Sequence, residues 1–170
     1  IGLYNSHTPG RMEVYESADK KIAVIVDYAH NKLSFETLLQ SVRKEYAGRH
    51  ISIVFGCPGN KAIIRRKDMG EVSGMLADFI YITEDDPAEE NVLDICNVIA
   101  GYVEGVGGKD KYKIIADRGE AIKTAIEDVR DESVIILAGK GAETRQKRGL
   151  ASVPYESDAF FAQKYLKEYD

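Results

Sequence analysis

Asp27, Tyr28 and His30 put an acid, a phenol and an imidazole within four residues, directly after the apolar run Ile22-Ala23-Val24-Ile25-Val26. Such a set can donate, accept and exchange protons with a polar ligand. A second chemical cluster is the pair Asp85-Asp86, which precedes Pro87 and Ala88. Two adjacent carboxylates can anchor a cation, or they can form a solvated turn that caps the helix after the proline. A third is Gly139-Lys140-Gly141-Ala142-Glu143, with glycines flanking a lysine and an acid three residues beyond it. Asp27 also has a purely local reading, as the cap of the next helix with Tyr28 and His30 packing beside it.

All three clusters follow the same kind of element. Ile22–Val26, Ile51–Phe55, Phe79–Thr83, Lys113–Ala116 and Val134–Ala138 are short, mostly apolar and β-branched. They read as strands buried on both faces of a parallel sheet. Helical stripes lie between them: Phe35, Leu38, Leu39, Val42 and Tyr46; Met69, Val72 and Leu76; Val92, Ile95, Cys96, Ile99 and Val103; Ile122, Ala125, Ile126 and Val129. A closing helix carries Ala162, Tyr165, Leu166 and Tyr169 and starts near Ser157 or Asp158, both good N-caps. Gly101–Gly108 is expected to end a helix and open a mobile loop. The alternation predicts an α/β, doubly wound (Rossmann-like), mostly parallel sheet of about five or six strands with helices on both faces. An extra strand, antiparallel at the edge, is expected between Arg148 and Tyr155. Ligands of such sheets bind at the carboxyl ends of the strands, where the clusters emerge.

The 170 residues fit one domain with a full core, and 44% apolar and 30% charged residues are ordinary for a globular protein. A net charge of -5 provides no basic footprint for nucleic acid. No apolar stretch is long enough for membrane insertion. Two cysteines, Cys57 and Cys96, and three dispersed histidines, His7, His30 and His50, do not make a metal site; the thiol count suits a reducing cytoplasm. A start at Ile1 without a charged-then-apolar leader is what a domain cut from a longer protein would show. A complete phosphate loop is absent, because Ala142 and Glu143 stand where a magnesium-binding hydroxyl would follow Gly139-Lys140-Gly141, and no dinucleotide fingerprint follows the first strand.

Taken in order, Gly10-Arg11-Met12-Glu13, Asp27-Tyr28-Ala29-His30-Asn31, Phe55-Gly56-Cys57, Met69-Gly70, Asp85-Asp86-Pro87 and Gly139-Lys140-Gly141-Ala142-Glu143 resemble the Mur ligases. The spacing is most similar to the C-terminal domain of the UDP-N-acetylmuramoyl-tripeptide synthetases. The resemblance implies a linker or arm at 1–12 and a C-terminal ligase domain at 13–170. Absent upstream domains would carry the phosphate loop, the magnesium ligands, a carbamoylated lysine and the UDP site. The implied reaction is ATP-dependent amide formation in peptidoglycan synthesis, joining a diamino acid to UDP-MurNAc-L-Ala-D-Glu, with residues 1–170 inactive alone. By position, Arg11, Asp27, Tyr28 and His30 would serve ATP. Lys61, Asp85, Asp86, Pro87, Ala88, Gly139 and Glu143 would line the amino-acid pocket.

Three departures bear on substrate. Lys61 replaces an arginine that would clamp the α-carboxylate, a point charge in place of a fork. Asp86 replaces an asparagine, and Ala142 a histidine. Diaminopimelate-adding members carry an arginine where Ala88 stands, so L-lysine is expected. Around Ala88 the sequence shows Asp85, Asp86 and Glu89 and no cation, and a second carboxylate there would be buried among like charges. Two alternatives stay open: the C-terminal domain of another amide ligase, such as a folylpolyglutamate or cyanophycin synthetase, and a non-catalytic module that binds a nucleotide or amino acid. A phosphate loop upstream of Ile1 separates ligase from module.

Overall fold

The structure, a computed structural model, describes residues 8–170. The first seven residues of the expected arm, His7 among them, lie outside the described residues. Strand β1 (Glu13–Glu16) leads to β2 (Ile22–Asp27), α1 (Lys32–Glu45), β3 (His50–Phe55) and α2 (Ile64–Leu76). Then come β4 (Phe79–Ile82), α3 (Val92–Gly105), β5 (Tyr112–Ile114), α4 (Arg118–Glu127) and β6 (Ser133–Ala138). A hairpin of β7 (Arg145–Arg148) and β8 (Ala151–Pro154) precedes α5 (Asp158–Tyr169).

Six strands form one sheet in the order β1-β2-β6-β3-β4-β5, parallel except for β1, which runs antiparallel to β2. The fold class expected from the alternation is the one found. The antiparallel edge strand, however, is β1, whereas the strand expected at 148–155 pairs with β7 in a separate two-stranded sheet. The local reason is the acid and phenol in Glu13-Val14-Tyr15-Glu16, which obscure a half-exposed edge strand from a search for apolar runs.

Strands β2 and β6 are buried along their whole length, as a doubly covered sheet requires. Helices α1, α2 and α3 cover one face, where Phe35, Leu39, Met69 and Ile99 pack on Ile25, Ile53, Phe55 and Ile136. Helices α4 and α5 cover the other, where Ile122, Ile126 and Leu166 meet Val24, Val26, Ile135 and Leu137. Both cysteines are buried and unbridged. Helix α3 runs on through Gly101 and stops at Gly105, and its end is held by bonds from the Gly107 and Gly108 amides to the carbonyls of Glu104 and Val103. Ser157 caps α5 as its sequence predicts. Because β6 lies between β2 and β3 while its chain continues to the opposite face, the loops after these strands diverge and leave a crevice.

The loops at this end touch backbone to backbone. A methyl group added at Gly59 would lie 1.8 Å from the Pro87 carbonyl oxygen, and one at Gly56 2.3 Å from that of Thr83. Gly101, in contrast, faces open space on α3. Gly59→Ala is therefore expected to cost about 1–3 kcal/mol by overpacking, and Gly101→Ala to add roughly 0.5–1 kcal/mol through helix propensity. Urea unfolding midpoints of the two variants should move in opposite directions.

Candidate functional site

Four loops, those after β2, β3, β4 and β6, close around a cavity of about 620 Å³, together with the β7–β8 hairpin. After β2, the Asp27 carboxylate accepts from the amides of Ala29 (2.8 Å) and Met12 (3.0 Å), so it straps the turn at Thr8–Met12 to the strand end. It does not cap α1; Asn31 does, through a reciprocal capping box with Ser34. Tyr28 and His30 line the cavity with their rings edge to face, centroids 4.8 Å apart, and the Arg11 guanidinium lies 5.9 Å from the Tyr28 ring centre. Burial, then Glu143, raises the Tyr28 phenol pKa above its ordinary value.

After β3, Lys61 lies between Asn60 and Ala62, both in left-handed backbone (φ 62° and 50°). Met12 (φ 47°) and Ala88 (φ 52°) share that unfavourable conformation. Strain of this kind, held in place by the surroundings, is concentrated in the loops around the cavity. Lys61 and Arg65 both line it, and neither forms an ion pair among the described residues.

After β4 come Asp85 and Asp86. They do not cap the helix beyond Pro87, since α3 is capped by Asn91. Their partner is Lys140, whose side chain is fully buried. Its Nζ lies 3.2 Å from Asp86 Oδ1, 3.3 Å from Glu143 Oε2 and 4.0 Å from Asp85 Oδ1. It also donates to the Arg145 carbonyl oxygen at 3.2 Å and lies 5.0 Å from the Tyr155 ring centre. The expectation that the acids near Ala88 have no cation among them is thus corrected. Lys140 stands two residues beyond the end of the buried strand β6, after Gly139 at φ 106°, and a lysine at that place is the signal the sequence offers for it.

The hairpin is zipped to the acid loop. Gln146 Nε2 donates to the Asp85 carbonyl (2.7 Å) and the Lys147 amide to Asp86 Oδ1 (3.0 Å). The Ala88 amide donates to the Lys147 carbonyl (3.0 Å), and the Ala88 carbonyl accepts from the Gly149 amide (2.6 Å). Arg145 and Lys147 consequently face the cavity too. Apolar-run reasoning offers no signal for these contacts, because the hairpin sequence is charged and its strands are short.

Of the residues expected in the site, Tyr28, His30, Lys61, Asp85, Asp86, Gly139 and Glu143 line this one cavity. Arg11 stacks at its rim, Asp27 is buried behind it, and Pro87 and Ala88 shape its wall through backbone contacts. The lining thus combines three acids, Asp85, Asp86 and Glu143, with the cations Lys61 and Arg65, which have no acid partner among the described residues. Among the described residues no group of three His, Cys, Asp or Glu side chains is placed to hold a metal ion, and the carboxylates of Asp85, Asp86 and Glu143 converge on an ammonium. Magnesium therefore has no fitting donor set among them.

Asp85 differs from its neighbours. Lys140 is too far from it for a hydrogen bond, and neither of its carboxylate oxygens has a hydrogen-bond partner among the described residues. Burial raises its pKa from 3.8 to about 6, against the opposing pull of Arg118 and Lys140. Ionised Asp85 thus destabilises the fold. The cost is absent below the ordinary carboxylate pKa, grows up to about pH 6, and is complete above it. Asp85→Asn should therefore raise stability by about 1–3 kcal/mol at neutral pH, and the gain should vanish near pH 3. Thermal melts across that range check it.

Comparison with known proteins fits this geometry. Residues 10–141 match the family described as "Mur ligase, glutamate ligase domain". The UDP-N-acetylmuramoyl-L-alanyl-D-glutamate--L-lysine ligase of Streptococcus thermophilus is 39% identical over 97% of the chain and 33% of its own length. The corresponding 2,6-diaminopimelate ligase of Alkaliphilus oremlandii is 42% identical over 83% of the chain and 28% of its own length. A solved 2,6-diaminopimelate ligase superposes with a TM-score of 0.81 at 26% identity, over 95% of the chain and 32% of that protein. The chain spans about a third of the length of the curated relatives it matches.

Proposed function

We propose, from a chain that belongs to the Mur ligase family, that residues 13–170 are the C-terminal domain of a cytoplasmic, ATP-dependent ligase of peptidoglycan synthesis and residues 1–12 its interdomain linker. In this reading the domain presents a diamino acid to UDP-MurNAc-L-Ala-D-Glu. Domains outside this chain would activate the glutamate γ-carboxylate with ATP, and magnesium held there would stabilise the phosphoryl charge. The amine nitrogen then attacks the acyl carbon of the resulting acyl phosphate. The C–O bond breaks, phosphate leaves with its electron pair, and the nitrogen loses a proton. Catalysis of this type rests on positioning and on the stabilisation of phosphoryl charge.

One observation carries the reading: the cavity is lined by both charges, with Lys61 and Arg65 supplied by the loop after β3 and the start of α2 and Asp85, Asp86 and Glu143 by the loops after β4 and β6. A zwitterion with a second ammonium matches that combination. The cations receive the α-carboxylate. Asp85, the acid that Lys140 reaches least, receives the distal ammonium. Gly139 leaves room for it, since a methyl group there would lie 3.1 Å from Asp85 Oδ2. Arg11, Asp27, Tyr28 and His30 form the ATP side: Arg11 reaches towards the terminal phosphate, while Tyr28 and His30 offer ring faces near ribose and adenine. Asp27 acts there through the turn it straps as much as through its own oxygens.

The amino acid proposed is L-lysine, because Ala88 provides no guanidinium for a distal carboxylate. Diaminopimelate is the second reading, favoured by Arg145 and Lys147 in the cavity wall. With the full-length ligase given both amino acids, lysine is expected to be used with at least about ten-fold higher kcat/KM, a difference of about 1.4 kcal/mol. Equal or better use of diaminopimelate, lost in an Arg145→Ala/Lys147→Ala double variant, would establish the second reading instead. Arg11→Ala in the same enzyme should raise the KM for ATP several-fold, by loss of a charge-assisted contact, and leave that for the amino acid unchanged; steady-state titration of each substrate checks this.

A further inference from the structure

Arg118 heads the largest fully buried side chains among the described residues, and the proposed chemistry assigns it no role. It opens α4, and its guanidinium makes a fork on Asp158 at the start of α5, through Nε (2.9 Å) and Nη2 (2.7 Å). The same group donates from Nη1 to the Glu84 carbonyl (3.2 Å) and from Nη2 to the Ala138 carbonyl (3.0 Å). Glu84 and Ala138 immediately precede Asp85 and Gly139. A buried ion pair adds little stability beyond well-packed apolar side chains, so its geometry matters more than its energy. A planar, multiply donating group can hold two carbonyls and a carboxylate at fixed separations, as an ammonium cannot.

We infer that Arg118 is a positioning residue for the amino-acid pocket: by bonding the carbonyls of Glu84 and Ala138 together, it sets the distance between the loop carrying Asp85 and the loop carrying Lys140. The inference rests on the pocket reading above. The charged and titratable groups facing Asp85 are Arg118 from α4, Lys140 and Glu143 from the loop after β6, Asp86 beside it, and Tyr28 and Cys57 from the loops after β2 and β3. Of these, the two cations favour its ionised form. Displacing the cationic head of Arg118 weakens that support as well as the spacing.

The test is Arg118→Lys in the full-length ligase, with amino-acid and ATP KM measured against pH. The expected result is an amino-acid KM about ten-fold or more above wild type and an ATP KM within about two-fold. The rise of amino-acid KM on acidification, centred near pH 6 in the wild type, should move to higher pH. An unchanged amino-acid KM, a parallel rise in both KM values, or a KM rise without movement of the pH limb overturns the inference. Should Arg118→Lys not fold, Asp158→Asn decides, because it keeps Arg118 and loosens the fork that aims its guanidinium at the two carbonyls. A raised amino-acid KM with an ATP KM within about two-fold of wild type supports the inference; an unchanged amino-acid KM overturns it. A wild-type enzyme without saturable amino-acid use overturns the pocket reading and this inference with it. Normal wild-type use with an unaffected Arg118→Lys variant overturns this inference alone.

Discussion

A single ammonium, that of Lys140, serves three carboxylates drawn from two loops at the carboxyl end of the sheet. Its side chain is fully buried, so the cost of dehydrating the charge has to be offset locally. Asp86 and Glu143 do most of this, the Arg145 carbonyl completes the shell, and Asp85 is left at the margin. The arrangement makes one wall of the cavity negative while keeping the loops together. Without the cation, Asp85, Asp86 and Glu143 would repel one another across the crevice. The polarity of the site and the cohesion of its loops therefore depend on the same group.

Close approach is the second condition. Gly56 and Gly59 bring the loop after β3 against the loop after β4, and Gly10, in left-handed backbone, lies against Gly141 and Ala142. Four loops can share one small space only where backbone meets backbone without intervening side chains. Asn60, Ala62 and Ala88 hold unfavourable dihedrals in the same region. Site geometry is thus maintained at some cost in local conformational energy, borne by the sheet beneath.

The sheet was readable because its strands are uninterrupted apolar runs and its helices carry regular stripes. Ile22–Val26 and Val134–Ala138 have no polar residue to confuse the pattern, and Ser157 is an ordinary cap. Edge elements were harder. β1 mixes Glu13, Val14, Tyr15 and Glu16, and β7 is Arg-Gln-Lys-Arg, so neither shows an apolar face. In the site, residue types and positions marked Tyr28, His30, Asp85, Asp86 and Glu143, because strand ends are where ligands bind. The roles of Lys140 and Arg118 were hidden, since buried charge is defined by its partners. Those partners lie 40 residues away for Arg118 with Asp158 and 54 for Lys140 with Asp86.

Ala88 contributes to the site through its peptide groups. Both its amide and its carbonyl are bonded to the hairpin, and its neighbours Asp85 and Asp86 are tied to Gln146 and Lys147. The path of this loop is thereby written in main-chain bonds that do not depend on which side chain position 88 carries. A residue at that point can be exchanged with only the modest penalty of its left-handed backbone. In evolutionary terms, the position proposed here to set substrate choice is uncoupled from the scaffold that supports it. Such a loop can change what it recognises by single substitutions, without passing through intermediates that fail to fold.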